Sequence, residues 1–213
     1  AQEIVVPDVN QELYLKQADV ALRDGRMTQA GQMIAWLERY GDQISSDDIA
    51  LLKAEYAIVG MDVAAAASAL SAVKDPARNT CRVESAKGWV AANRLELDDA
   101  IVALATAART CSTDAGIWNL LGLALIGKGE AAAAEEAFGR ALGLAPGNPE
   151  ILNNHALAVL QRGDLTLARQ QLANAAEKVP ENRMIGANLD FVSGMMGIVP
   201  ERLQQDSDNE WSG

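Results

Sequence analysis

Apolar and small residues recur along this chain at helical spacings of three and four, and the whole pattern repeats at a step of 34 residues. The clearest copy is Trp118-x-x-Leu121-Gly122-x-x-Leu125, followed by Ala134, Phe138, Ala141 and Pro146. One step onward the same positions carry Ala156, Val159, Gly163, Ala168, Leu172, Ala175 and Pro180, with Leu152 and His155 standing where Trp118 and Leu121 stood. One step back lie Gly88, Ala91, Ala100, Leu104 and Ala107, and a further step gives Ala54, Ala57, Ala66, Leu70 and Val73. After a two-residue slip the pattern returns as Tyr14, Ala18, Ala21, Gly25, Ala30, Ile34 and Leu37. The register predicts units at 11–44, 47–80, 81–114, 115–148 and 149–182, with a further first helix at 183–196.

Each unit reads as two antiparallel helices. Ala or Gly at positions 8 and 20 sits where the helices touch, and larger side chains fill the remaining space. A glycine near position 15 (Gly25, Gly129, Gly163, Gly197) ends the first helix by taking the left-handed conformation at little cost. Pro146 and Pro180 stop the second helix, Trp118 reads as an interior residue, and Asp190 at position 8 of the last unit suits a capping helix with no second helix over it. On these residues the chain resembles the tetratricopeptide repeat (TPR). The resemblance implies an all-α fold, a right-handed superhelical α-solenoid of about five TPR helix pairs plus a C-terminal capping helix, and a scaffold that binds proteins. A composition of 49% hydrophobic but 4% aromatic residues agrees with Ala-rich helices around a thin core. No linker rich in Pro, Gly or Ser interrupts the array, so the expectation is a single solenoid domain at 11–196. An N-terminal extension (1–10), whose one strand-like run is Ile4-Val5-Val6, precedes it, and a flexible acidic tail (197–213) follows.

Charge narrows the partners. With 18 basic against 29 acidic residues, for a net of −11, the chain would be repelled by a phosphate backbone, and nucleic acid is not expected. No stretch approaches the roughly 18 apolar residues of a membrane helix. The start at Ala1-Gln2 suits a mature terminus after signal-peptide cleavage, and equally a trimmed chain. Cys81 stands at position 1 and Cys111 at position 31 of one unit, and in an antiparallel hairpin these places share an end. That placement favours a disulfide over two unrelated buried thiols, and with it an oxidising compartment.

Catalytic chemistry is hard to find. His155, the only histidine, occupies an interior position and reads as a packed imidazole with one hydrogen bond, the alternative being a general base or metal ligand. No nucleophile–histidine order, phosphate-cradling Gly-rich loop or metal-ligand spacing stands out. The expectation is no catalytic, cofactor or metal site. Asp47-Asp48 and Asp98-Asp99 each open a helix, where the dipole favours negative charge.

In the TPR register the first helices line a concave groove at positions 2, 5, 6, 9, 12 and 13. Position 9 supplies Glu55, Trp89, Leu123, Leu157 and Phe191, and position 12 supplies Ile58, Ile126 and Leu160. Positions 5 and 6 add Leu51, Asn119, Asn153 and Asn188. Apolar residues would anchor side chains of a bound protein or peptide segment, and the carboxamides would bond its backbone. Only Arg82 and Lys16 are basic at such positions, in different units, so a clamp for a peptide carboxylate is not expected. The exposed N-terminal helix, with Leu13, Leu15 and Val20, leaves room for a homo-oligomer.

A narrower resemblance rests on Asn153-Asn154-His155-Ala156-Leu157-Ala158, on Gln161 through Ala168, and on Arg183 with Asn188-Leu189. Between Ala115 and Met195 the chain resembles the TPR component of bacterial tight-adherence (Tad) pilus assembly and the related type IV pilotin-like proteins. Asp190-Phe191 departs from that pattern, as does the lack of a cysteine at the start for a lipid anchor. The resemblance implies a periplasmic or outer-membrane-associated protein that helps to assemble a pilus or secretion machine by holding a pilus or secretin component. The alternatives are a cytosolic TPR adaptor and the accessory domain of a larger enzyme.

Overall fold

The computed structural model describes residues 10–198; Ile4–Val6 of the extension and the acidic tail from Pro200 lie outside the described residues. Among the described residues all regular structure is helical, and packing divides the chain into two compact units that meet in sequence at Thr110 and Cys111. The N-terminal unit holds α1 (Gln11–Arg23), α2 (Met27–Tyr40), α3 (Ser46–Val59), α4 (Val63–Ser71), a 3-10 turn at Pro76–Asn79, α5 (Thr80–Asn93) and α6 (Leu97–Thr110). The C-terminal unit holds α7 (Ala115–Lys128), α8 (Ala131–Leu144), α9 (Pro149–Gln161), α10 (Leu165–Lys178) and α11 (Arg183–Met195). Within the first, α1 packs on α2, α3 on α4 and α5 on α6; within the second, α7 packs on α8 and α10 on both α9 and α11. The unit boundary therefore falls between helix pairs, not inside one.

Helix starts follow local chemistry. Asn10, Ser45, Asp62, Asp114, Asn148, Asp164 and Asn182 each accept a backbone N–H of the first turn through the side chain, satisfying a donor the helix itself cannot pair. The stops are equally local. Position 15 has positive φ at Gly25, Gly129, Gly163 and Gly197, as the glycines predict, and also at Met61 and Leu95, where no glycine stands. Those two side chains accept a conformation costing about 1–2 kcal/mol relative to right-handed backbone, so the turn is imposed by the packing of the flanking helices.

The core is built at positions 8 and 20. Ala18, Ala54 and Ala156 at the first, with Ala30, Ala66, Ala100, Ala134 and Ala168 at the second, are fully buried. Gly88 and Gly122 mark the closest approaches: a methyl group on Gly88 would collide with Leu104, and one on Gly122 would lie 2.5 Å from the Phe138 ring. Leu104, Phe138 and Leu172 fill the space opposite and are themselves fully buried.

Two expectations need amendment. Trp118 is half-buried, not interior: its indole N–H donates to the Ser112 carbonyl at 3.0 Å, and the Arg140 guanidinium lies over its ring at 5.9 Å. An indole that keeps a polar edge at the surface still covers its helix pair with the ring. Asp47 does more than favour a helix dipole. Its buried carboxylate accepts the backbone N–H groups of Lys74 and Asp75 at 3.0 and 2.7 Å, and these two bonds hold its pKa below the ordinary value. Asp48 likewise accepts from the Asn79 amide at 2.9 Å. Together they pin the connection after α4, the shortest of the helices. The cysteines meet the sequence expectation: Cys81 and Cys111 are both disulfide-bonded and no cysteine is free.

Candidate partner-binding surface

In the N-terminal unit the first helices of successive pairs are joined by charge. Arg82, at the start of α5, donates Nε to Glu55 Oε1 of α3 at 2.7 Å and pairs Nη2 with Glu55 Oε2, and Nη2 also lies 3.5 Å from Asp19 Oδ1 of α1. This fork-to-fork geometry suits a guanidinium, and the Glu55 carboxylate raises the Arg82 pKa further above its ordinary value. Glu55 and Arg82 are thereby engaged with each other. Leu51 is fully buried and Trp89 is buried, while Ile58 is half-buried.

The C-terminal unit joins its first helices with neutral amides. Asn188 of α11 donates to Asn153 Oδ1 of α9 at 2.8 Å, Asn153 donates to its neighbour Asn154 at 3.1 Å, and Asn154 donates to Asn119 Oδ1 of α7 at 3.1 Å. Asn119 in turn donates to Glu150 Oε1 at 3.2 Å. The ladder runs in one direction and ends on a carboxylate. Asn119, Asn153 and Asn154 are buried, so their carboxamides meet one another's needs and are not presented to an incoming backbone. Asn188 is half-buried.

The apolar groove residues of the C-terminal unit remain accessible. Leu123 and Phe191 are exposed, and Ile126, Leu157 and Leu160 are half-buried beside the ladder. These residues come from α7, α9 and α11, one position-9 side chain from each. His155, by contrast, is packed: its Nδ1 lies 2.6 Å from Gln171 Oε1, and the imidazole meets the Phe138 ring edge-on. That geometry gives it one hydrogen bond inside the helix pair. Among the described residues, no cluster of three or more His, Cys, Asp or Glu is placed to hold a metal ion, and no helix is long and apolar enough to cross a membrane.

The sequence reading missed one cavity. In the N-terminal unit Gly31, Ile34, Ala35, Tyr56, Ala57, Ala65 and Ala69 line a hollow of about 670 Å³, with the Glu38–Lys53 ion pair among its lining residues. On α4 the lining comes from a run of alanines, whose small side chains leave the space open.

No family model and no curated protein matches the sequence. Solved structures do match the fold. A thermophilic TPR protein of Thermus thermophilus, TTC0263, superposes with a TM-score of 0.65 at 19% identity, over 85% of this chain and 98% of the other. MamA of Desulfovibrio magneticus gives 0.61 at 19% identity, over 81% and 96%. Cut9, in the anaphase-promoting-complex hetero-tetramer Cut9–Hcn1, gives 0.75 at 18% identity over 85% of this chain but 36% of its own. The neighbours are TPR proteins, and the fold is the all-α TPR solenoid class.

Proposed function

We propose that this TPR-fold chain is a non-catalytic protein-interaction scaffold, and that its C-terminal unit holds an apolar segment of a partner protein against Leu123, Ile126, Leu157, Leu160 and Phe191. The observation that carries the reading is the pairing of exposed aliphatic and aromatic side chains with a buried amide ladder. The ladder fixes α7, α9 and α11 in register, so the apolar row is rigid before a partner arrives and little ordering entropy is lost on binding. TPR neighbours support the scaffold role, and Cut9 is seen joined to another protein. The partner class we propose is a pilus or secretin component of the bacterial cell envelope. The disulfide supports an oxidising, periplasmic setting over a cytosolic adaptor. The residue-level likeness between Ala115 and Met195 supports the pilus-assembly role over that of an enzyme's accessory domain.

The test is a cross-linking pull-down from the periplasmic and outer-membrane fractions with the wild-type chain and with Leu123→Asp/Leu157→Asp, far-UV circular dichroism confirming that the variant is folded. Envelope proteins captured by the wild type should be lost from the variant. Equal capture by both would reject this surface.

A further inference from the structure

On α7 and α9 the groove surface offers almost nothing to a bound backbone. Position 5 holds Asn119 and Asn153, which are 7% and 2% exposed, and each carboxamide already donates one bond and accepts one. Positions 9 and 12 hold Leu123, Ile126, Leu157 and Leu160, which carry no hydrogen-bonding group. At position 13 α7 has Gly127, and α9 has Gln161, the one amide at these positions that is open to solvent. An extended segment laid here would lose water from N–H and C=O groups along its length and regain hardly any partner. A helix arrives with its backbone groups already bonded to one another.

Spacing points the same way. Leu123 and Leu157 are equivalent residues of neighbouring first helices, and packed helices lie about 8–10 Å apart. Side chains on one face of a strand recur at about 6.4–6.8 Å, so if one meets Leu123 the next falls short of Leu157. Residues i and i+7 of a helix lie about 10.5 Å apart on nearly the same face, which fits. Charge then marks one flank. Glu150 is the single ionisable residue at positions 2, 5, 9, 12 and 13 of α7 and α9, and it is exposed. Its Oε1 accepts from Asn119, and its Oε2 has no partner among the described residues.

Resting on the reading of this surface as the partner site, we propose that its occupant is an amphipathic α-helix lying across α7 and α9. The bound helix carries apolar residues at i, at i+3 or i+4, and at i+7, with a Lys or Arg on the flank beside Glu150. Its i and i+7 side chains meet Leu123 and Leu157, and the residue between them meets Ile126 and Leu160, one turn further along the two helices. The cation takes the open Oε2 of Glu150. Both receiving helices have later helices packed against them, α8 on α7 and α10 on α9, so the row is not an end of the chain.

The test is selection from a random-sequence library of displayed peptides of about 16 residues, long enough as a helix to cross both α7 and α9. The full chain is the bait, and peptides that also bind Leu123→Asp/Leu157→Asp are discarded. Leu123→Asp alone, at the one exposed residue of the four, replaces the double variant should that lose its helical circular dichroism. Retained peptides should share apolar residues three or four and seven apart, with Lys or Arg on one flank. A retained peptide should gain helical circular dichroism on binding, and a central proline should weaken it by about tenfold or more. Glu150→Gln, which leaves Asn119 its acceptor, should weaken it by about two- to fivefold in dilute buffer and by less in about 1 M salt. Retained peptides with alternating apolar residues, or binding indifferent to proline, overturn the helix and leave the partner surface standing. Affinity unchanged in Glu150→Gln overturns the cation assigned to its flank. If no peptide distinguishes wild type from variant, the surface itself captures nothing, and the helix falls together with the reading beneath it.

Discussion

The N-terminal unit joins its first helices with ions, and the C-terminal unit joins them with amides. In the first, Arg82 gathers Glu55 and Asp19; in the second, Asn188, Asn153, Asn154 and Asn119 pass donors along to Glu150. The ionic joint uses positions 9 and 2 of the register and the amide ladder chiefly positions 5 and 6, and the two differ in solvent. Arg82 keeps about a third of its side-chain surface in water, whereas Asn153 keeps almost none. A half-exposed ion pair contributes little and is weakened by salt, while a buried amide is costly to leave unpaired. One repeat geometry thus accommodates two kinds of joint with different strengths and different sensitivities.

The sharpest way to break the comparison is at position 8, where both units have a glycine. Gly122→Ala should destabilise the C-terminal unit by about 3 kcal/mol, because the Phe138 ring cannot shorten to admit a methyl group. Gly88→Ala should cost less, since Leu104 can change rotamer. Urea melts that ranked Gly88→Ala as the more damaging would show that backbone spacing, not the opposing side chain, sets the limit.

Next in size is the joint itself. Asn153→Ala removes one donor and one acceptor and strands Asn188 and Asn154, for an expected loss of about 2–3 kcal/mol that is the same in dilute buffer and in about 1 M salt. Arg82→Met should cost about 1 kcal/mol or less in dilute buffer, and nearly nothing at about 1 M salt. Hydrogen exchange followed separately in α3–α5 and α7–α11 distinguishes the two. Equal salt dependence in both units would remove the distinction drawn between them.

The smallest effect concerns the turns. Leu95→Gly should stabilise the N-terminal unit by about 0.5–1 kcal/mol, relieving left-handed strain while removing a side chain that is 81% exposed and contributes nothing to the core. A lower melting temperature in this variant would mean that the turn is not strained.

The sequence made the scaffold legible because its constraints fall on single positions. A small residue at position 8 or 20 and a glycine at 15 each answer one steric demand, so Ala18, Gly122 and Gly163 carry their meaning alone. Met61 and Leu95 hid theirs, since a non-glycine in left-handed backbone leaves no mark in composition. The groove was legible in outline only. Leu123 and Phe191 are accessible as the register suggests, yet Asn119 and Asn153 face other carboxamides 35 residues away. A polar residue on a helix face shows a need for a partner without showing whether the partner is internal. Asp47 was obscured for the same reason, because the backbone groups it binds belong to Lys74 and Asp75.

The amide ladder also bears on how such a chain can lengthen. Helix α9 carries both halves of the joint, Asn153 receiving from the helix after it and Asn154 giving to the helix before it. A tandem duplication of 149–182 would therefore arrive with its polar contacts already matched on both sides. The new Asn154 would find the old Asn153, and Asn188 would find the new one. Growth by copying this segment needs no compensating change elsewhere, whereas copying 47–80, which holds Glu55 but not its Arg82, would leave a carboxylate without its cation.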